Sequence, residues 1–338
     1  MHYYKKDMKK KMYKKTKKES FGQKCTNFVL TIIVACAISS QVCTAANNNL
    51  RFAQISDAHF SSFEKNTSYK FLEKSPELLD DAIFQVNTSG PYNFVIFTGD
   101  LINKPQKDEL SKFLTHANKL NYPWIAIPGN HDVAIGGTLT KTEFKNIINS
   151  NNKHISMNNT YYAYTPKKGY RVLCLDSIIE NKVTTNGEIS VEEITWLKQE
   201  LDKHKNDVVI LCTHVPIDEP FSSSNHRLNN EYEIKKILKS YTNPIIVLQG
   251  HYHATRAKQN NNIIYISCPS LVSYPNSFRV ININSNKKRT VVDVFLKETN
   301  LKEIQTRSKL RVLGSDLLYG SEEDRNITFE IKKENDKD

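Results

Sequence analysis

The sequence predicts a layered α/β domain with one mixed sheet, and two features carry this prediction. From residue 50 onward, short apolar runs alternate with amphipathic segments, as strands and helices do when they follow one another. Towards residue 295, strand-like runs follow one another directly, which indicates antiparallel neighbours in an otherwise parallel sheet. Several runs are continuous and rich in β-branched residues, so we expect strands covered on both faces.

Nine runs have the length and composition of strands. They lie at residues 51–56, 93–98, 124–127, 170–175, 207–213, 244–249, 263–267, 278–283 and 290–295. Helices are expected at residues 75–86, 108–120, 190–204 and 230–240. The first opens at Ser75 with a proline directly after it, which suits a first helical turn. The third opens at Ser190, where Glu193 is placed to complete a capping box.

The positive charge of the chain lies mainly in its first residues. The chain has 338 residues and a formal net charge of +11. Residues 1–24 contain ten lysines against Asp7 and Glu19, which gives +8, and residues 25–45 are uncharged, so the rest carries only +3. A body with so little excess charge lacks the electrostatic footprint of a nucleic-acid-binding protein. We therefore expect no nucleic-acid partner.

Residues 1–45 have the form of a secretory signal or lipoprotein leader. A lysine-rich opening precedes the mainly apolar stretch 28–38, which is shorter than the roughly 20 residues needed to span a bilayer. Two processing routes fit this leader: cleavage after the small-x-small sequence at 43–45, or lipidation of Cys36 in the lipobox-like sequence 33–36. Either route predicts export, with a product that is periplasmic, secreted or lipid-anchored at the cell envelope.

The rest of the chain is expected to form a catalytic domain at residues 50–297 and a charged C-terminal extension at residues 298–338. The extension contains one further strand-like segment at 326–332, before an end that we expect to be disordered. Cys174, Cys212 and Cys268 each lie in an apolar strand-like run. We expect them to be buried small hydrophobic residues, because three isolated strand cysteines do not form a disulfide framework.

Five predicted strands end in side chains that bind metals. The candidate ligands at these ends are Asp57, His59, Asp100, Asn130, His214, His251 and His253. In α/β sheets, sites form at the carboxyl ends of strands. Seven ligands exceed what one cation usually binds and suit two, and two cations clamp the oxygens of a phosphoryl displacement. Nitrogen and oxygen donors without thiolate favour Mn, Fe or Zn in an open site.

The motifs DxH, GD, GNHD, an isolated TH and GHxH, in this order, resemble the calcineurin-like metallophosphoesterase superfamily, and most of all its class III cyclic nucleotide phosphodiesterases. The resemblance covers about residues 51–293. It implies a four-layer αββα sandwich of two mainly mixed β-sheets with flanking helices and a dimetal site at the C-terminal ends of strands. The implied ligands of the first metal are Asp57, His59 and His253, those of the second are Asn130, His214 and His251, and Asp100 bridges the two.

The resemblance also implies a reaction, the hydrolysis of a phosphodiester by a metal-bridging hydroxide with His131 as general acid. Asp132, in the same motif, is expected to shape the turn. Asp176 ends another strand, but we expect it to bond a loop backbone and not a metal. The remaining histidines are expected to be ordinary surface or core residues: His2, His116, His154, His204 and His226.

The substrate is expected to be a small phosphoester. Purple acid phosphatases carry a tyrosine ligand three residues after the bridging aspartate, and here Asn103 occupies that position, so no iron–tyrosinate centre is expected. An extracellular nucleotide, a phospholipid headgroup and other phosphodiesters all stay open. Residues 217–230 are expected to form a mobile loop near the site that sets this choice. The alternatives are a phosphomonoesterase and a catalytically silent binding module on the same fold.

Overall fold

The computed structural model describes residues 48–333, which form two six-stranded sheets with helices beside them. The strands are β1 (Asn49–Ile55), β2 (Phe94–Thr98), β3 (Trp124–Ile127), β4 (Tyr162–Lys167), β5 (Tyr170–Cys174), β6 (Val208–Thr213), β7 (Ile245–Gln249), β8 (Arg256–Asn260), β9 (Ile263–Ser267), β10 (Ser277–Ser285), β11 (Arg289–Glu298) and β12 (Asn326–Lys332). The α-helices are α1 (Ser75–Ser89), α2 (Lys107–Ala117), α3 (Asn130–Val133), α4 (Lys141–Asn151), α5 (Val191–Lys203), α6 (Glu231–Leu238), α7 (Lys302–Arg311), α8 (Ser315–Tyr319) and α9 (Glu322–Arg325).

Both sheets are mixed. The first has the order β12-β11-β10-β1-β2-β3, in which β1, β2 and β3 are parallel and the other neighbours are antiparallel. The second has the order β4-β5-β6-β7-β9-β8, with four parallel strands at its centre and an antiparallel strand at each edge. The parallel strands of each sheet end at one edge, and this arrangement brings their C-terminal loops into one region.

The two sheets face each other across a shared core. Gln54 of β1 donates its side-chain amide to the carbonyl of Gln249 in β7 at 3.2 Å, and Cys268 after β9 lies 3.4 Å from the carbonyl of Gln54. Residues of β2, β6 and β7 are buried along their whole length, as expected of strands with a covered surface on either side. With the helices outside, this is the predicted four-layer αββα sandwich, and that prediction is confirmed.

The predicted strands and helices are all present, and the strand of the C-terminal extension pairs with β11 as β12. The prediction missed β4 and β8, which are the two edges of the second sheet, and the helices α3, α4, α7, α8 and α9. The capping box at α5 is only half right. Ser190 accepts from the backbone of Glu193 at 3.2 Å, but the Glu193 carboxylate instead accepts the backbone N–H of Asp176 at 2.8 Å.

The three strand cysteines are buried free thiols, as predicted. Among residues 48–333, no helix is long and apolar enough to cross a membrane. The predicted leader at residues 1–45, with Cys36 and His2, lies outside the described residues, and so does the end of the C-terminal extension beyond residue 333.

Candidate metal centre

The strand-end loops bring the predicted ligands into one buried cluster. Beyond the ends of β1 and β2, the two loops continue side by side: the backbone N–H of Asp57 donates to Gly99 at 3.1 Å, and that of His59 donates to Asp100 at 2.9 Å. The side chains then form three groups whose ligand atoms lie within 4.8 Å of one another: Asp57 with His59 and His253, His59 with Asp100 and His131, and Asp100 with His214 and His251.

The backbone at these positions is unusual. Five of the seven predicted ligands have a positive φ although none is glycine: Asp57 (51°), His59 (39°), Asp100 (51°), His251 (70°) and His253 (54°). Such conformations cost energy for ordinary side chains and persist where the surroundings enforce them, most often at functional sites. The preceding glycine allows this packing at Asp100, because Gly99 has a φ of +91° and a Cβ there would overlap the His214 ring.

The Asp100 carboxylate lies between the two halves of the cluster. Its Oδ2 atom is 3.5 Å from the Nε2 atom of His59 on one side and 3.4 Å from the Nε2 atom of His214 on the other. The Asp57 carboxylate belongs to one half, where its Oδ1 atom is 3.4 Å from the Nε2 atom of His253. Asn130 belongs to the other half, with its Oδ1 atom 3.2 Å from the Nε2 atom of His214.

The donor set fits cations better than it fits hydrogen bonds. The Nε2 atoms of His59 and His253 face each other at 3.1 Å beside the Asp57 carboxylate, so two ring nitrogens and a carboxylate converge on one position. The Nε2 atom of His251 is buried and has no hydrogen-bond partner among the described residues. Buried polar atoms are normally paired, so a nitrogen without a hydrogen-bond partner is available to bind a cation. Imidazole nitrogens with carboxylate and amide oxygens suit Mn, Fe or Zn.

The charges of the cluster favour the forms of Asp100, His59 and His251 that bind metals, but they favour a proton on His214. Burial alone would raise the pKa of the Asp100 carboxyl, but the surrounding histidines His214, His131 and His59 hold it well below its ordinary value. Burial lowers the pKa of His59 and of His251 well below the ordinary value. Ionised carboxylate and neutral imidazole are the ligating forms, and a cation would displace the proton that the Asp100 carboxylate favours on His214, whose pKa rises to about 9 despite burial.

His131 lies at the edge of the cluster and has a fixed orientation. Its backbone N–H donates to the Oδ1 atom of Asp100 at 2.8 Å, and its Nδ1 atom bonds the carbonyl oxygen of Asn103 at 2.8 Å. A carbonyl only accepts, so Nδ1 carries the hydrogen, and Nε2 is directed towards the site. Asp132 shapes the turn as predicted, because its carboxylate accepts the backbone N–H groups of Gly129 at 2.8 Å and Ile102 at 3.0 Å.

Lys70 is a site residue that sequence reasoning missed. Its Nζ atom lies 3.3 Å from the Nδ1 atom of His59 and 3.3 Å from the Nε2 atom of His131. The side chain is 5% exposed and has no carboxylate within 4.0 Å among the described residues. Burial lowers its pKa to about 8. No strand-end pattern marks this lysine, because it comes from the long connection between β1 and α1.

A cavity of about 210 Å³ adjoins the cluster on the side of His251 and His253. Phe221 and His226, from the predicted loop at residues 217–230, line it, so the prediction that this loop lies near the site is confirmed. His226 is an exposed residue whose Nδ1 atom lies 2.9 Å from the Ser223 hydroxyl, as expected of a surface histidine, and its ring also lines the cavity. Its ring centroid lies 5.3 Å from that of His251. In the sequence, only the position of His226 in this loop indicated that its ring would lie near the site.

Asp176 stays outside the cluster, as predicted. Its Oδ1 atom accepts the backbone N–H of Ile178 at 3.0 Å, and its Oδ2 atom forms an ion pair with Lys141 at 2.8 Å. Two of the other histidines also have ordinary partners on the surface: His116 bonds Asp80 at 2.7 Å and His204 bonds Asp207 at 2.7 Å.

Known proteins resemble this chain in sequence. A protein of Arcobacter nitrofigilis named probable glycerophosphodiester phosphodiesterase GpdQ is 28% identical over 64% of this chain and 77% of that protein. The 3',5'-cyclic adenosine monophosphate phosphodiesterase CpdA of Haemophilus influenzae is 24% identical over 65% and 76% of the two chains. A manganese-dependent ADP-ribose/CDP-alcohol diphosphatase of Arabidopsis thaliana is 25% identical over 60% and 79%.

The fold has a counterpart among solved structures. The crystal structure of a dimetal phosphatase from Danio rerio superposes with a TM-score of 0.56 and 17% identity, over 72% of this chain and 95% of that chain. This likeness concerns the fold. The two face-to-face mixed sheets with a cluster of aspartates and histidines at their strand ends define a dinuclear metal-dependent phosphoric ester hydrolase. The model of the calcineurin-like phosphoesterase family matches residues 50–255, more than half of the chain, and the chain belongs to this family.

Proposed function

We propose that this protein is an exported phosphodiesterase in which Asp100 bridges two metal ions. The carrying observation is the position of the Asp100 carboxylate, whose Oδ2 atom lies within 3.5 Å of a histidine nitrogen on either side. In this proposal the first cation is held by Asp57, His59 and His253, and the second by Asn130, His214 and His251. Two cations, when bound, neutralise phosphoryl charge and make hydroxide available at neutral pH.

His131 acts as the general acid in this proposal. The hydrogen bond from its Nδ1 atom to the Asn103 carbonyl leaves Nε2 as the atom that delivers a proton to the departing ester oxygen. The hydrogen bond from the His131 backbone to Asp100 fixes the position of this residue next to the predicted ligands. Lys70 lies 3.3 Å from the same Nε2 atom, and because its ammonium only donates, it positions the neutral ring, before Nε2 takes up the proton that it delivers, and adds positive charge next to the phosphoryl group.

A diester is the substrate class that the relatives support. Their names include glycerophosphodiester and cyclic nucleotide phosphodiesterases, and one is a manganese-dependent diphosphatase. Manganese is accordingly the first metal to test, ahead of Fe and Zn. A phosphomonoesterase is the second candidate, because the same donor set can serve either ester. The complete set of seven predicted ligands argues against a catalytically silent binding module.

Export is proposed from the sequence of residues 1–45 alone. Expression in a bacterial host with a cell envelope, followed by fractionation and intact mass of the mature chain, tests it. Cleavage after residue 45 supports a signal peptide, and a chain that begins at a lipidated Cys36 supports an anchor. An unprocessed chain in the cytoplasmic fraction contradicts export but leaves the phosphodiesterase proposal untouched.

The proposed activity is tested with two chromogenic substrates in Mn²⁺ buffer. We expect faster hydrolysis of bis-p-nitrophenyl phosphate than of p-nitrophenyl phosphate, and loss of both activities on chelation. A preference for p-nitrophenyl phosphate would establish the phosphomonoesterase instead. Hydrolysis of neither substrate by the protein with its metals bound would overturn the proposal in favour of the silent module.

A further inference from the structure

The cavity beside the metal centre has mainly aromatic walls. His251 and His253 line the cavity together with Tyr69, Phe221, His226, Tyr252 and Leu318. Several of these rings support one another: the ring centroids of Phe221 and Tyr252 are 5.0 Å apart, and those of Tyr69 and His253 are 6.1 Å apart. Rings held in this way offer flat faces to a ligand and lose little conformational freedom when it binds.

Leu318 comes from the C-terminal extension, beyond the residues that the family model matches. The extension is fixed to the domain at this point. The carbonyl of Leu318 accepts the backbone N–H of Thr255 at 2.8 Å, and the ring centroid of its neighbour Tyr319 lies 5.6 Å from that of Tyr274 in the domain. The Arg325 guanidinium stacks on the Tyr319 ring at 4.2 Å. The helix α8 therefore forms a built wall of the cavity.

We propose that this cavity, which Leu318 of the C-terminal extension helps to line, is a specificity subsite for a planar aromatic substituent of the phosphodiester, such as a nucleobase. The inference rests on the proposed function. A cavity of about 150 Å³ in a protein interior accepts benzene, so 210 Å³ accommodates a planar ring system. Proteins that bind nucleobases without sequence preference commonly do so by stacking them on aromatic side chains.

The subsite receives the substituent that stays on phosphorus. His131, the proposed acid for the leaving oxygen, does not line the cavity. The leaving group lies next to His131, and the substituent that faces His251 and His253 is thus the one retained in the product. A substrate with a small aliphatic group at this position leaves the rings of Phe221 and Tyr252 without a partner.

The test compares two diesters with the same leaving group, p-nitrophenyl thymidine 5'-phosphate and p-nitrophenyl ethyl phosphate, in Mn²⁺ buffer. The wild type is expected to prefer the thymidine ester in kcat/KM. Phe221→Ala and Leu318→Ala are each expected to lower this preference by about 5-fold or more, since a stacked base contributes at least that much. Leu313→Ala is the matched control, because Leu313 lies just before α8 but is fully exposed at 100%.

A preference that stays at the wild-type value in both Phe221→Ala and Leu318→Ala overturns the subsite while the phosphodiesterase proposal stands. A wild type that hydrolyses neither diester contradicts the proposed function. In that case a binding measurement, which needs no hydrolysis, tests the subsite. Saturation-transfer NMR of metal-free protein with thymidine is expected to show transfer to the base protons in the wild type and in Leu313→Ala, and reduced transfer in Phe221→Ala. Absence of transfer in the wild type also overturns the subsite.

Discussion

Two clusters of buried ionisable side chains follow strand ends in this protein, and only one of them has the chemistry of a metal site. The cluster around Asp176 lies after β5 and satisfies itself, because Lys141 pairs with the Asp176 carboxylate at 2.8 Å and the backbone N–H of Ile178 donates to its other oxygen at 3.0 Å. The cluster around Asp100 contains facing imidazole nitrogens and a nitrogen of His251 that has no hydrogen-bond partner among the described residues. Burial alone therefore does not distinguish the metal site. The convergence of several ligand atoms on one position does.

The largest effect is expected from Asp100→Asn. Removal of one negative charge between the two halves weakens both metal positions together, so metal content is expected to fall from two ions per chain and kcat/KM to fall by more than about 100-fold. Elemental analysis and bis-p-nitrophenyl phosphate hydrolysis measure the two quantities. Asp176→Asn is the matched control. Two retained ions in Asp100→Asn would rule out a bridging role.

His131→Ala separates acid catalysis from metal binding within the same cluster. The two ions are expected to stay, and kcat is expected to fall by about 10² to 10⁴, the usual range for loss of a general acid. The control is His116→Ala, a histidine that pairs with Asp80 at 2.7 Å outside the cluster. Wild-type turnover by His131→Ala would remove this residue from the mechanism, and loss of metal would show that it acts as a ligand.

A smaller effect is expected from Lys70→Met. The ammonium lies 3.3 Å from the Nε2 atom of His131, and removal of such a supporting group typically costs about 10- to 100-fold in activity. Metal content is expected to be unchanged. Lys74→Met, four residues further on and 41% exposed, is the control and is expected to behave as wild type. Equal activities of the two variants would show that Lys70 has no part in the reaction.

The smallest effect on activity is expected from a substitution in the cluster around Asp176. Lys141→Met leaves the buried Asp176 carboxylate without its ion pair, so the free energy of unfolding is expected to fall by about 1 to 3 kcal/mol, measured by urea denaturation. Activity and metal content are expected to stay at wild-type values. A loss of bound metal in Lys141→Met would show that the cluster around Asp176 also contributes to metal binding, contrary to the comparison above.

The sequence predicted the parts of the fold that depend on local apolar pattern. Strands such as β6 and β7 were recognisable because every residue is buried, and such strands are almost continuously apolar in sequence. The missed strands β4 and β8 are sheet edges, and β8 is the polar sequence RAKQN with alternating exposed residues, so its identity comes from pairing with β9 and not from its own composition.

The residues of the site also divide into those that the local sequence predicts and those that it does not. Asp57, Asp100 and His214 directly follow recognisable strands, so their convergence could be predicted from the position of strand ends. Lys70 and Leu318 come from segments that reach the site through long connections. Nothing in the residues around Lys70 indicates that its ammonium will lie between two histidines, because that placement depends on tertiary packing.

The proposed reaction requires the Asp100 carboxylate to lie between two cations. Anomalous diffraction from crystals soaked in Mn²⁺ tests it directly, since the manganese signal locates each ion independently of the ligand assignment. We expect two peaks about 3.5 to 4 Å apart with the Asp100 side chain between them. A single peak, or a pair of peaks that Asp100 does not contact, would contradict the account.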